Sequence, residues 1–185
     1  MARTPSNMIP LGTIAPDFEL LDTVTGNNIS LEQAKGAKAT VIMFICNHCP
    51  FVKHVNAELA AIGADYADSG VGFIAISSND VENYPADSPE LMKQNALDEG
   101  FNFPYLYDET QQVAKDYDAA CTPDFYVFDS NLKLTYRGQL DDSRPGNGIA
   151  VTGKDLRIAI DATVKGALVD IIQKPSIGCN IKWKV

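Results

Sequence analysis

Two cysteines and two histidines fall within nine positions, Cys46 to His54, of the stretch MFICNHCPFVKH. Side chains of these types at this density hold a metal, exchange electrons, or pack as thiols beside bystander imidazoles. A metal reading would take Cys46, His48, Cys49 and His54 as ligands. Four-ligand zinc sites usually draw on two separated pairs, and the chain has only two histidines, both local. The redox reading needs only Cys46 and Cys49, with Asn47 and His48 between them, and the metal assignment is accordingly none. Buried thiols that merely pack are the bland alternative, since cysteine is among the most buried residue types.

The placement of the pair favours electrons. ATVIMFI (39–45) is a continuous apolar, β-branched run, as in a strand covered on both faces. After it, Val52, Val55, Leu59, Ile62 and Tyr66 step by three and four along one face of a helix. Pro50 suits the first turn and Gly70 the stop. A helix start offers unpaired N–H groups and the positive end of the macrodipole, which stabilise a thiolate. On this reading Cys46 sits exposed at the cap and attacks a disulfide, and Cys49, one turn in, resolves the intermediate. His48 is expected near Cys46, favouring its thiolate. With Cys46 the more exposed sulfur, it is expected to react first with an alkylator.

A second stretch bears on the same chemistry. CTPDFYVFD places Pro123 directly ahead of a strand-like run, where a residue with no N–H belongs. An ordinary trans turn and a cis peptide beside the site are the two readings; a cis bond would turn the chain back sharply at Thr122. It would leave the Thr122 backbone open to an extended substrate adding itself as a strand. Cys121 stands two residues before Pro123 and Cys179 on the C-terminal stretch. Each is an independent thiol or a trap for Cys46 or Cys49 in an alternative disulfide.

The remaining elements must hold these two stretches together. VGFIAIS (71–77) is a second buried strand. Ser88, Pro89 and Glu90 open a helix that Gly100 closes. FPYLYD is a short strand, and 110–117 a short helix. DFYVFD and LKLTYRG flank Ser130–Asn131 as a hairpin. Thr152 caps a last helix carrying Leu156, Ala159, Ile160 and Val164, and PSIGCNIKWKV has no usable period. Alternating strands and helices followed by a hairpin make an α/β domain with a mixed central sheet flanked by helices. The expectation is a single domain over 1–185, with 170–185 a tail.

Composition narrows the partners. The chain has 185 residues, 45% of them hydrophobic, and a formal charge of −9. That length can bury a core without staples, and that charge disfavours nucleic acid and anionic membrane. With no apolar leader at the start, the cytoplasm is the expected location. Thiols there stay reduced, and a close cysteine pair is more often catalytic than structural.

Taken together, GTIAPDFEL, CNHCPFVKH, ISSND, CTPDFYVFD, YRGQLDDSRPGNG and SIGCNIKW resemble the thioredoxin superfamily, in its redoxin branch. The similarity is to bacterial proteins related to alkyl hydroperoxide reductase and thiol-specific antioxidant. It implies a thioredoxin-like fold with an N-terminal extension and an inserted helix and strand. It also implies Cys46 as nucleophile, Cys49 as resolving cysteine and Pro123 as cis-proline. Cofactors are expected to be none. Partners would be protein or small-molecule disulfides and a reductant such as a thioredoxin or glutathione system. Three features depart from the pattern. Thr40 stands where thioredoxins carry a buried aspartate, and Ile45 where they carry tryptophan. The peroxiredoxin P-x-x-x-T-x-x-C does not fit either cysteine. A thiol–disulfide oxidoreductase is the leading reading. A thiol-dependent peroxidase using Arg137 as a charge near the thiolate is the alternative, against a solvated hairpin Arg137. A copper-carrying module is the third.

Overall fold

The structure, a computed structural model, describes residues 3–185. In chain order the elements are β1 (Arg3–Pro5), β2 (Glu19–Asp22), β3 (Asn28–Ser30), α1 (Leu31–Ala34), β4 (Ala39–Phe44), α2 (Pro50–Asp65) and β5 (Val71–Ser77). A single 3-10 turn (Pro85–Asp87) precedes α3 (Pro89–Glu99), β6 (Tyr105–Tyr107), α4 (Gln112–Asp116), β7 (Cys121–Thr122), β8 (Asp124–Asp129), β9 (Leu134–Gly138), α5 (Lys154–Val164) and β10 (Ile177–Asn180).

β4 is the axis of the fold. All six of its residues are buried, and it pairs parallel to β5 and antiparallel to β8. The main sheet runs β3-β2-β6-β5-β4-β8-β9. Alternation along β4 divides the core. Val41 and Met43 pack with Val52, Val55, Leu59 and Ile62 of α2, Met92 of α3, and Leu156 and Ile160 of α5. Ile42 and Phe44 face the other layer, with Ala114 of α4, Tyr117, Tyr126 and Phe128. Each such apolar side chain contributes about 1.5–3 kcal/mol on burial. Both faces are therefore covered, which is why the strand reads as an unbroken apolar run and not as an alternation.

Local signals placed most boundaries, and tertiary contacts moved a few. Ser88 caps α3 and Gly100 ends it in the left-handed region at φ 72°. α2 stops at Asp65, well before Gly70. The chain tightens there through Ala67 N–H to Ala64 O and Ser69 N–H to Tyr66 O, and Gly70, at φ 80°, turns it into β5. Thr152 does not cap α5; Gly153 does, at φ 62°. The Asp141 carboxylate accepts from the Thr152 and Gly153 N–H groups at 2.7 and 2.8 Å. A remote acid thus does what a local hydroxyl was expected to do.

The stretch without a period is also structured. β10 pairs antiparallel to both β1 and β7, making a second, three-stranded sheet. The element carrying Cys179 is thereby bound to the strand that leads into Pro123.

Candidate active site

The β4–α2 junction delivers the cysteine pair. The strand ends at Phe44, and Cys49 is the N-cap residue of α2, with Pro50 in the first turn. The helix therefore begins at the second cysteine, not the first. Both sulfurs are enclosed: Cys46 is 1% exposed and Cys49 0%. The expectation that Cys46 is the exposed sulfur is corrected, because loop 45–49 folds inward beneath the 3-10 turn and β10.

The Thr122–Pro123 bond is cis, as expected. Thr122 touches both members of the pair. Its Oγ1 is 3.4 Å from Cys46 Sγ, and its carbonyl accepts from Cys49 Sγ at 3.3 Å. Cys121, its neighbour on a two-residue strand, turns the other way toward the Pro123 carbonyl at 3.8 Å. Burial and nearby Asp124 push the Cys121 thiol up.

Cys179 is the residue that sequence reasoning left unplaced. It lies opposite Thr122 in the β10–β7 register, and its Sγ is 2.9 Å from Cys49 Sγ. The Thr122 edge that was to receive a substrate strand is occupied by β10. Gly178 makes the approach feasible, since a Cβ there would run into the Thr122 carbonyl. A four-residue strand with a glycine in it has no readable period, so this contact left no signal beyond the cysteine.

Asp87 is the other residue that was missed. Its side chain is 0% exposed. It accepts from the backbone N–H groups of Asn47 and His48 at 2.8 and 3.2 Å, and from Asn79 Nδ2 at 2.8 Å. The two backbone donors share Oδ1, and His48 Nδ1 lies 2.5 Å from Oδ2, the oxygen that also accepts from Asn79. The imidazole stacks on Tyr84, with 5.5 Å between centroids. His48 does lie near Cys46, with a ring nitrogen within 4.8 Å of the sulfur, but its Nδ1 is bound to Asp87. Asn47 also bridges loops, donating to Ala86 O and accepting from the Tyr105 hydroxyl. A polar residue in a proline-bounded turn gives no sequence sign that it will lie under a distant cysteine motif.

These neighbours set where the protons sit. The Cys46 thiol is pushed well up by its hydrogen bond to Cys49, by burial and by the nearby Asp87 charge. Cys49 is drawn down to about 5, chiefly by the hydrogen bond from Cys46 and, against burial, which raises it, by the Cys179 thiol and the backbone N–H groups of Val52 and Cys179. The Val52 N–H also donates to the Cys49 carbonyl, at 3.1 Å. Of the two, Cys49 is therefore the sulfur that gives up its proton first, losing the hydrogen bond that its thiol donates to the Thr122 carbonyl. Titrating the ultraviolet thiolate absorbance of the reduced protein is expected to show one step near pH 5 that Cys49→Ser removes. A first step near the ordinary thiol range of about 8.5 would contradict it. Stability follows. Below the unfolded thiol value the unfolded chain holds one more proton at this position, so the contribution of Cys49 grows with pH from about 5 upward. It is lost as pH falls through about 5.

Arg137 meets neither of its expectations. It is fully buried, not solvated, and pairs with Asp124 Oδ2 at 2.9 Å. It also donates to the Asp118 carbonyl and lies 4.3 Å from the Tyr126 ring centre. Its charge is directed at the start of β8, away from the cysteine pair. Thr40, in place of the thioredoxin aspartate, accepts from Gly36 N–H at 3.1 Å and takes no part in the site. His54 is half-buried against Ser143 Oγ at 2.7 Å, apart from the motif's other donors. Donor atoms of Cys46, His48 and Asp87 lie within 4.8 Å of one another. A cation placed among them would have to break the His48–Asp87 bond.

A mixed sheet with C-x-x-C at the β4–α2 junction and a cis-proline opening β8 is a thioredoxin-like fold with a thiol site. The AhpC/TSA family model matches residues 11–137, and the chain belongs to that family. It is similar over its whole length to an uncharacterized conserved protein from Geobacillus kaustophilus, at 62% identity and a TM-score of 0.97, covering 97% of that chain. A hypothetical protein from Sinorhizobium meliloti shares 49% identity at a TM-score of 0.96, with 98% of this chain and 99% of that one covered. The thioredoxin domain of a thiol-disulfide oxidoreductase from Bacteroides vulgatus matches at 18% identity and a TM-score of 0.60, over 74% of this chain and 91% of that one, and shares the fold. No curated protein matches significantly. Family membership supports a redox function carried by thiols. Among the described residues, no helix is long and apolar enough to cross a membrane.

Proposed function

We propose that the protein is a thiol–disulfide oxidoreductase cycling Cys46 and Cys49 between dithiol and disulfide. The observation that carries the reading is the contact of one residue, Thr122, with both sulfurs beside the cis-proline. The Cys49 thiolate attacks a substrate disulfide and releases one thiolate, and Cys46 then displaces the second, leaving Cys46–Cys49. The one proton of the pair, on Cys46, goes to a leaving sulfur, the other leaving sulfur departs as thiolate or takes its proton from solvent, and two electrons pass to the substrate. The roles are the reverse of those implied by the resemblance, because the helix start and the thiol donors converge on Cys49 while Asp87 opposes charge on Cys46.

A filled Thr122 edge favours small disulfides over extended protein segments. A reducing compartment such as the cytoplasm, with a thioredoxin or glutathione system as reductant, fits a pair that must be re-reduced. Family membership keeps the peroxidase reading alive, but Arg137 is held by Asp124 and is not available to polarise a peroxide. The test sets equilibration of the protein in glutathione buffers beside peroxide consumption by the same sample. The expected result is a two-electron couple at Cys46–Cys49 with slow peroxide turnover. Fast peroxide turnover by Cys46→Ser would reject the dithiol mechanism. Metal bound at one equivalent after purification would point to the carrier reading.

A further inference from the structure

We propose that Cys179 is a third redox cysteine that accepts the disulfide from the pair, moving it from Cys46–Cys49 to Cys49–Cys179. This rests on the dithiol reading above. β10 occupies the position of an added strand against Thr122, and Cys179 is the residue of that strand facing the pair. Its sulfur stands 2.9 Å from Cys49 Sγ. Gly178 is what lets the strand come so close, its missing Cβ leaving room for the Thr122 carbonyl. The chain thus holds its own cysteine where a bound substrate would present one. Cys121 cannot substitute, since it faces the Pro123 carbonyl.

The step balances within the protein. Cys179 attacks Cys49 Sγ, the Cys46–Cys49 bond breaks, and the Cys49–Cys179 bond forms. One proton passes from Cys179 to the departing Cys46 sulfur, and no net electrons are gained or lost. In the reduced protein, burial and the Cys49 neighbour hold the Cys179 thiol up at about 12. Oxidation of Cys49 removes the second of these causes. The relay therefore begins only after the first disulfide has formed. Its product links the N-terminus of α2 to β10 and returns Cys46 to the thiol state.

Tryptic peptides separate the two disulfides, because Cys46 and Cys49 share one peptide and Cys179 lies in another. The full chain is reduced, treated with one equivalent of glutathione disulfide, quenched with acid at intervals, alkylated and mapped. In the wild type the 46–49 loop is expected first, with the 49–179 cross-link growing at its expense. Cys46→Ser and Cys46→Ala are expected to form the cross-link directly and release glutathione, and Cys179→Ser to stop at the loop. A wild type that stops at the loop, with Cys46→Ser accumulating glutathione on Cys49, overturns the relay and leaves the dithiol reading intact. Absence of the 46–49 loop from Cys179→Ser overturns both.

Discussion

Arg137→Met is expected to lower folding stability by about 3–5 kcal/mol at neutral pH, the cost of removing one partner from a buried ion pair. For a chain of this size that is a fall in Tm of about 10 °C. Methionine keeps most of the bulk over the Tyr126 ring. It leaves the Asp124 carboxylate, 0% exposed, with the Ser6 hydroxyl at 2.8 Å and the Phe125 N–H as its neutral donors. Burial already pushes the Asp124 carboxyl up, and Arg137 is the main force holding it down. In the variant it rises further. An acid raised by folding favours the folded state when protonated, and that favour is lost as pH rises through the folded value. The deficit should therefore be largest near neutrality and shrink toward about pH 4, near the unfolded aspartate value. Urea midpoints at the two pH values check this. Arg137→Met combined with Asp124→Asn should recover much of the loss, since it removes both charges. A deficit below about 1 kcal/mol, within the range of exposed ion pairs, or one independent of pH, would refute the account.

The second large effect is expected at Asp87. Asp87→Ala strips an acceptor from the N–H groups of Asn47 and His48, from the Asn79 amide and from the His48 ring. Leaving buried donors without partners costs about 1–3 kcal/mol each before relaxation. A net loss of about 3–5 kcal/mol is expected, in line with breaking a buried charged contact. Asp87→Asn separates charge from scaffold. It keeps an oxygen for the two backbone donors but removes the negative charge that helps to raise the Cys46 thiol. Its expected signature is a smaller loss of stability together with a Cys46 that gives up its proton at lower pH, seen as a second thiolate step in the ultraviolet titration of the reduced protein. If the asparagine variant leaves both unchanged, Asp87 acts only as filler. The two charged sites are separate: Arg137 and Asp124 anchor the strand after Pro123, and Asp87 shapes the loop of the pair.

Much of this site was legible in the linear order of residues. An unbroken apolar run at 39–45 can satisfy itself only when buried on both faces, so it located the central strand. The three-and-four spacing from Val52 located α2, and CTP before an aromatic strand placed a proline at the strand's start, with the family resemblance pointing to its cis form. Local chemistry also set the caps at Ser88 and Gly100. Each of these is a short-range preference carried by neighbouring side chains.

What the chain did not reveal was decided by segments that meet only on folding. That α2 begins at Cys49, with Cys46 sealed beneath Asp87 and β10, depends on packing above the loop and not on the four residues C-N-H-C. Arg137 sits in a stretch that reads as a hairpin edge, yet the turn after α4 and the start of β8 supply the Asp118 carbonyl and Asp124 as partners. Cys179 and Cys49 are 130 positions apart. The sequence by itself determined the fold and the identity of the thiols. Which sulfur carries the charge, and which third thiol lies against it, was set by the tertiary structure, because proton affinity and disulfide exchange depend on distances of a few ångströms between groups far apart along the chain.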